Sequence, residues 1–226
     1  MVVRVLQRAR AARGVERVLV ATDDERIREA VEREGGEAVM TSRDHPSGTD
    51  RIAEVARGLG VGEDVVVNVQ GDLPLLDPGY VEAALTAIGA PGPGGEAPVM
   101  ATLATPLLDG EAERSQVVKV VCDHHGRALY FSRSAIPWGG GAGLRHIGLY
   151  AYRREFLLKL AETEPSPLEE VEKLEQLRVL ENGHRIQVAQ VEAPESMIEV
   201  DTQEDLERVR RWVDGRPNSA LWGRDG

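Results

Sequence analysis

Two aspartates stand where carboxylates can do chemistry. In VNVQGDLPLL (67–76), Asp72 directly follows an apolar, β-rich run; Gly71 permits a sharp turn and Pro74 fixes the exit. That arrangement aims the carboxylate at the crevice beyond the strand's carboxyl end. A hard oxygen ligand there suits Mg²⁺, which takes one or two carboxylates and fills its shell with substrate phosphates. Asp201, in IEVDTQEDLERV (198–209), also ends a β-branched run and precedes a helix. Each has a plainer reading: Asp72 as a turn residue capping the next helical region, Asp201 or Thr202 as an ordinary helix start. Two carboxylates at strand ends of one sheet could converge on a shared ion, and that joint reading strengthens both.

Three further stretches carry candidates. SRDHPSGTDR (42–51) is a strand-to-helix loop in which Ser47 or Thr49 could cap the helix. Backbone N–H groups there can receive a phosphate or a base edge, although the same letters also describe a capped helix and nothing more. In PSPLEEVEKLEQLRVLENG (165–183), projection at about 100° per residue puts Leu168, Val171 and Val179 on one arc. Glu175 lands among them, a costly place for a carboxylate unless it is hydrogen-bonded or paired. That makes Glu175 a site candidate with Glu172 and Gln176 beside it; two helices instead of one would dissolve the arc. LRHIGLYAYR (144–153) alternates Arg145, Ile147, Leu149 and Ala151 against His146, Gly148, Tyr150 and Tyr152. The second face suits a sugar or acid ligand, with a solvated sheet face as the competing reading. His124 and His125 lie near Cys122 in an expected hairpin turn without a second ligand pair, so zinc is not expected.

The elements that position these residues follow from periodicity. The opening MVVRVLQRAR has Val2, Val5, Leu6 and Ala9 at helical spacing. Strands are expected at 17–22, 37–40 and 64–70, alternating with helices at 23–36 and 77–89 and with a polar loop that feeds a helix within 41–60. This implies βαβ units and a ligand crevice at the strands' carboxyl ends. The near-continuous apolar character of DVVVNVQ reads as a parallel strand covered on both faces. After the Pro/Gly linker APGPGGEAP (90–98), four strand-like runs with turns such as DHHG predict an antiparallel subdomain. Helical stretches at 153–183 and 202–213 flank a strand, RIQVAQVE, and the tail DGRPNSALWGRDG has no periodicity. The expected organisation is one α/β domain over 1–213, with a nucleotide-binding part (1–97), the antiparallel subdomain (98–152), a return to the main sheet (153–213) and a disordered tail (214–226).

Composition narrows the partners. The chain has 226 residues, 42% hydrophobic and 29% charged, with a formal net charge of −11. This argues against a nucleic-acid or anionic-membrane surface, because phosphate tracking needs a basic face. No apolar run approaches the roughly 18 residues of a membrane span. A single cysteine fits a reducing compartment, and a cytoplasmic location is expected.

Taken together, ATDDERI, DHPSGTDRIAEV, VNVQGD, VVKVV, ALYFSRSAIPW, LRHIGLYAYRREFL, SPLE…LEQLR and VDTQEDLERV resemble the 3-deoxy-manno-octulosonate (Kdo) cytidylyltransferases, in order, over about residues 1–213. The resemblance implies a Rossmann-like nucleotidyltransferase fold with a mixed sheet, and transfer of CMP from CTP to the anomeric hydroxyl of Kdo for lipopolysaccharide synthesis. It also implies Mg²⁺ dependence and a homodimer whose contacts come from the antiparallel subdomain. By position, Asp72 and Asp201 match metal-binding aspartates. Gln70, Arg133, His146, Tyr150, Glu175 and Gln176 match positions around the Kdo pocket, and Ser47 and Gly48 match the loop at the cytosine end. An arginine suits the Kdo carboxylate because its fork binds bidentately.

The chain departs from the family pattern in three places. Leu73 stands where a glutamate is usual after Asp72, so a less negative site is expected. WGGGAG (138–143) is a short version of the loop before RHIG. The family's first strand and its RxxSxRLPGKPL phosphate loop have no counterpart, so the main triphosphate grip is expected to be absent and the apolar faces of RVLVAT and VVVNV poorly sealed. Two other readings compete with the enzyme: a non-catalytic nucleotide or sugar-acid binding module, and a cytidylyltransferase for another sugar acid.

Overall fold

The computed structural model describes residues 1–60, 64–92, 95–139, 143–192, 199–200 and 202–215. Short polar side chains start its helices where the sequence places them. Asp24 accepts from Arg26 N (2.9 Å) at the head of α2 (Glu25–Arg33), and Ser47, not Thr49, accepts from Asp50 N (3.2 Å) at α3 (Gly48–Arg57). Asp77 accepts from Gly79 N (2.8 Å) at α4 (Pro78–Gly89), where Pro78 needs no donor. The opening helix α1 (Val2–Arg10) buries Val5, Leu6 and Ala9, the stripe its spacing predicts.

β1 (Leu19–Thr22) pairs in parallel with β2 (Glu37–Met40) as a two-stranded sheet. The larger sheet contains β3 (Val65–Asn68), β4 (Met100–Pro106), β5 (Lys119–Cys122), β6 (Ala128–Ser132), β7 (Leu144–Arg153) and β8 (Ile186–Gln190). Its order is β6-β5-β7-β4-β8, with β3 also on β7. One edge of β7 lies antiparallel to β4; the other is shared by β5 at its start and β3 at its end. β5 and β6 form the expected hairpin. In its turn Asp123 Oδ1 accepts from the backbone N–H of His125 and of Arg127.

The reading of DVVVNVQ as a parallel strand covered on both faces is corrected. β3 pairs antiparallel with β7, and Val65, Val66 and Val67 are half-buried. A run of valines reports adjacency to the core and not the direction of the partner strand. Because β3 and β4 are both antiparallel to β7, and β8 is parallel to β4, β3, β4 and β8 point the same way. Their carboxyl ends define one rim, the one from which Asp72 emerges. Among the described residues no strand joins β1 to β3.

Helices cover both faces of the larger sheet. On one, Ala9 of α1, Leu76, and Val81, Ala84 and Ile88 of α4 pack with Leu103, Ile147, Leu149 and Ala151 of the sheet. On the other, α3 is joined by α5 (Arg154–Leu160) and α7 (Gln176–Glu181), enclosing Met100, Phe131, Tyr152, Leu157, Leu177 and Ile186. Each large side chain buried this way contributes about 1.5–3 kcal/mol. The alternation read in LRHIGLYAYR survives a bulge. The register jumps from Thr102↔Tyr150 to Leu103↔Ile147, leaving Gly148 and Leu149 as two extra residues in β7. An even insertion preserves which face each side chain takes, whereas a single one would invert it.

The projected arc over 165–183 dissolves. The stretch forms α6 (Pro167–Glu172) and α7, separated by Lys173 in the left-handed conformation (φ 56°). Leu168 and Val171 are exposed, at 39% and 79%, instead of lining a core stripe. α8 (Gln203–Asp214) starts at a capping box between Thr202 and Asp205.

Candidate active site

The floor of the site is the His146/Tyr150 face of β7. His146 Nε2 lies 2.9 Å from Thr102 Oγ1 on the neighbouring strand. Thr102 is fully buried, and its hydroxyl proton is directed at main-chain oxygens, Leu149 O at 2.8 Å and Ile147 O at 3.1 Å. The threonine oxygen is therefore the acceptor for Nε2–H, and the imidazole keeps Nδ1 as its own acceptor. Phe131 meets the ring edge-on at 5.0 Å and Tyr150 lies 5.5 Å away. Desolvation among these groups pushes the His146 pKa down to about 3, so the ring is neutral at physiological pH.

That shift has a signed consequence. The folded pKa is below the unfolded one, so the unfolded chain binds the extra proton between about pH 3 and about pH 6.5, and stability falls with pH through that window. His146→Asn should therefore lose stability less steeply than wild type from pH 7 to pH 4.5. Urea unfolding at both values checks it; parallel losses would sink the assignment.

Above the floor, the α6–α7 junction supplies the acids and amide. The Tyr150 hydroxyl donates to Gln176 Oε1 (3.4 Å), and burial, with the charges of Glu175 and Glu199, pushes its pKa up so that it stays a donor. Gln176 is 4% exposed, and its Nε2 has no hydrogen-bond partner among the described residues. A buried amide donor left open in a polar cleft is the signature of a position filled by a ligand acceptor or water. Glu175 Oε2 accepts from Thr49 Oγ1 at 2.6 Å, so the first turn of α3, with Ser47 and Gly48, adjoins this wall. A Cβ built on Gly48 would meet open space.

Arg133 continues the wall. Its backbone N donates to Glu172 Oε2 (2.9 Å). The guanidinium donates to main-chain oxygens of Glu172 (2.9 Å), Ser115 (3.2 Å) and Lys173 (3.5 Å). Glu172 Oε1 takes the Ser132 hydroxyl at 2.6 Å. Beneath them Lys119 is fully buried and donates to the carbonyls of Arg114 (3.0 Å), Val117 (2.7 Å) and Arg133 (2.5 Å).

At the rim, Asn68 pairs with Tyr150, so the turn carrying Gln70 and Asp72 leaves the sheet beside this floor. α4 is capped by Asp77, which disposes of the helix-cap reading of Asp72. Oδ1 of Asp72 is buried, and its main-chain oxygen accepts from Val200 N at 3.0 Å. Asp201 lies outside the described residues, as do 140–142 of the shortened loop and 216–226 of the tail, but Val200 and Thr202 are described. The Val200 bond thus brings the segment that carries Asp201 to Asp72 from 128 residues away. Leu73 faces elsewhere: it is 4% exposed and packs in the core with Leu76 and Tyr80. A carboxylate with one buried oxygen just beyond a strand end is a hard-oxygen donor of the kind that Mg²⁺ takes.

The structure thus assembles His146, Tyr150, Glu175 and Gln176 into one wall, with Arg133 on its flank and Gln70 and Asp72 at its rim. Thr49, Thr102, Ser132 and Lys119 were missed as contributors. Lys119 alone carried a visible signal, a single charge inside the apolar run VVKVV.

Known proteins resemble this chain over most of its length. The profile of a family described as Cytidylyltransferase matches residues 1–186. The 3-deoxy-manno-octulosonate cytidylyltransferase of Anaeromyxobacter sp. is 48% identical over 222 residues, covering 96% of this chain and 87% of the relative. That of Serratia proteamaculans is 47% identical, covering 95% and 89%. A solved CMP:2-keto-3-deoxy-manno-octonic acid synthetase in complex with CTP superposes with a TM-score of 0.85 at 40% identity, covering 94% of this chain and 86% of that one. A 4-diphosphocytidyl-2C-methyl-D-erythritol synthase from Anaerococcus prevotii shares the fold alone, at TM-score 0.61 and 14% identity. With its Rossmann-like α/β architecture and these relatives, the chain belongs to the cytidylyltransferase family, among the 3-deoxy-manno-octulosonate cytidylyltransferases.

Proposed function

We propose that this chain transfers CMP from CTP to Kdo, releasing pyrophosphate and supplying CMP-Kdo for lipopolysaccharide assembly. The open, buried Nε2 of Gln176 carries the reading: it is a donor held beside Tyr150, Glu175 and His146 and offered to a polyhydroxylated ligand. The chemistry asks for little covalent work by the protein. The anomeric hydroxyl attacks the α-phosphorus in line and pyrophosphate departs, so positioning and charge stabilisation supply the rate.

In this reading Gln176 and Tyr150 orient the sugar, and the neutral His146 offers Nδ1 to a hydroxyl. Glu175 accepts a further hydroxyl, and Gln70 lines the rim where the two substrates meet. Arg133 flanks the sugar's carboxylate, and Ser47 and Gly48 receive the cytosine end. Asp72 and Asp201 would hold Mg²⁺, which when bound offsets phosphate charge. The 1–97, 98–152 and 153–213 parts work as one domain in the cytoplasm, and no helix among the described residues is long and apolar enough to cross a membrane. A homodimer through the β4–β7 part is supported by exposed Leu129 (62%) and Trp138 (99%).

The test is pyrophosphate release from CTP with Mg²⁺ and Kdo, run beside sialic acid. Turnover is expected with Kdo and at least about tenfold less with sialic acid, a difference of about 1.4 kcal/mol in the barrier. Binding of CTP without product would overturn the reading.

A further inference from the structure

Thr49 sits in the first turn of α3 yet does not cap it; Ser47 does that. At 8% exposure it is buried, and its hydroxyl donates to Glu175 Oε2 across 126 residues of sequence at 2.6 Å. Glu175 stands at the head of α7 but makes no side-chain cap there, so its carboxylate is not oriented by its own helix. The residue oriented toward the sugar is thus held from the element that also presents Ser47 and Gly48 to the nucleotide.

We propose that Thr49 is a positioning residue that ties the nucleotide-side helix α3 to the sugar-acid-side carboxylate of Glu175. The proposal rests on the function stated above and adds to it the link between the two half-sites. Without the hydroxyl, Glu175 swings among rotamers and the sugar-acid half-site loses its fixed acceptor, while the Ser47 cap and the nucleotide half-site stay in place.

The experiment compares wild type, Thr49→Val, Thr49→Ser and Glu175→Gln, with the Thr49→Val/Glu175→Gln double variant. KM values for CTP and Kdo are measured, and Kdo binding is measured calorimetrically without nucleotide. Thr49→Val should raise KM and Kd for Kdo about tenfold, equivalent to about 1.4 kcal/mol, and leave KM for CTP within twofold. Thr49→Ser should restore the Kdo values, and Thr49→Val should add less than twofold to Glu175→Gln. Equal rises in both KM values, no change in the Kdo values, or full additivity would overturn the link alone. A wild type that neither binds nor turns over Kdo would overturn the functional reading and the proposal with it. Should Thr49→Val fail to fold, Thr49→Ser and Glu175→Gln decide: a wild-type-like serine variant and a Kdo-selective defect in the glutamine variant support the link, and any other pair of results overturns it.

Discussion

Asp72→Asn is expected to lower turnover of CTP with Kdo by about three orders of magnitude, with a change in Tm of no more than about 2 °C. Asparagine keeps the shape and removes the charge. The main-chain bond from Val200 N to Asp72 O does not involve the side chain, so the approach of the 199–200 segment survives the substitution. What is lost is the hard anionic oxygen of Asp72 at the rim, which the adjacent Leu73, committed to the core, does not replace. The readouts are rate and CTP affinity as functions of Mg²⁺ concentration. A variant within tenfold of wild type, or one with unchanged Mg²⁺ dependence, would remove Asp72 from the site's chemistry.

The second large effect is on stability. Lys119→Met should cost about 3 kcal/mol, because it leaves main-chain oxygens of Arg114, Val117 and Arg133 buried without their donor. At this chain length that corresponds to a Tm lower by about 6–12 °C. The lysine's burial lowers its pKa, with Glu172 and Glu113 acting in the opposite direction, so the ammonium is kept by hydrogen bonds and nearby acids, not by water. Methionine fills the stem's volume, and the loss measures the polar head alone. Calorimetric unfolding of both proteins checks this; a difference under about 1 kcal/mol would mean that the carbonyls find other donors.

Local signals carried much of the fold into the sequence. Ser47 and Thr202 announced helix starts that need nothing beyond their own turn. The alternation in β7 named its polar face because period-two patterning outlasts an even bulge. What depended on distant partners was less legible. The valines of β3 could not reveal an antiparallel neighbour as distant in sequence as Arg153 is from Val65. Lys173 broke a helix without a glycine or proline to mark the place. Glu175 is instructive: it was singled out as a carboxylate in an apolar stripe, yet the stripe does not exist, and the residue stands in the wall because Thr49 holds it there. Thr102 and Thr49 were invisible for the same reason, since a hydroxyl's role is set by whatever the fold puts within 3 Å of it.

β7 has three strands hydrogen-bonded along its two edges, and this divides the molecule's resistance to opening unevenly. Its amides are released to solvent only as β3, β4 or β5 parts from it, which opens the middle of the larger sheet. The β1–β2 pair, joined to no other strand among the described residues, opens at smaller cost. The His146/Tyr150 face of β7 thus opens at higher cost than the β1–β2 pair.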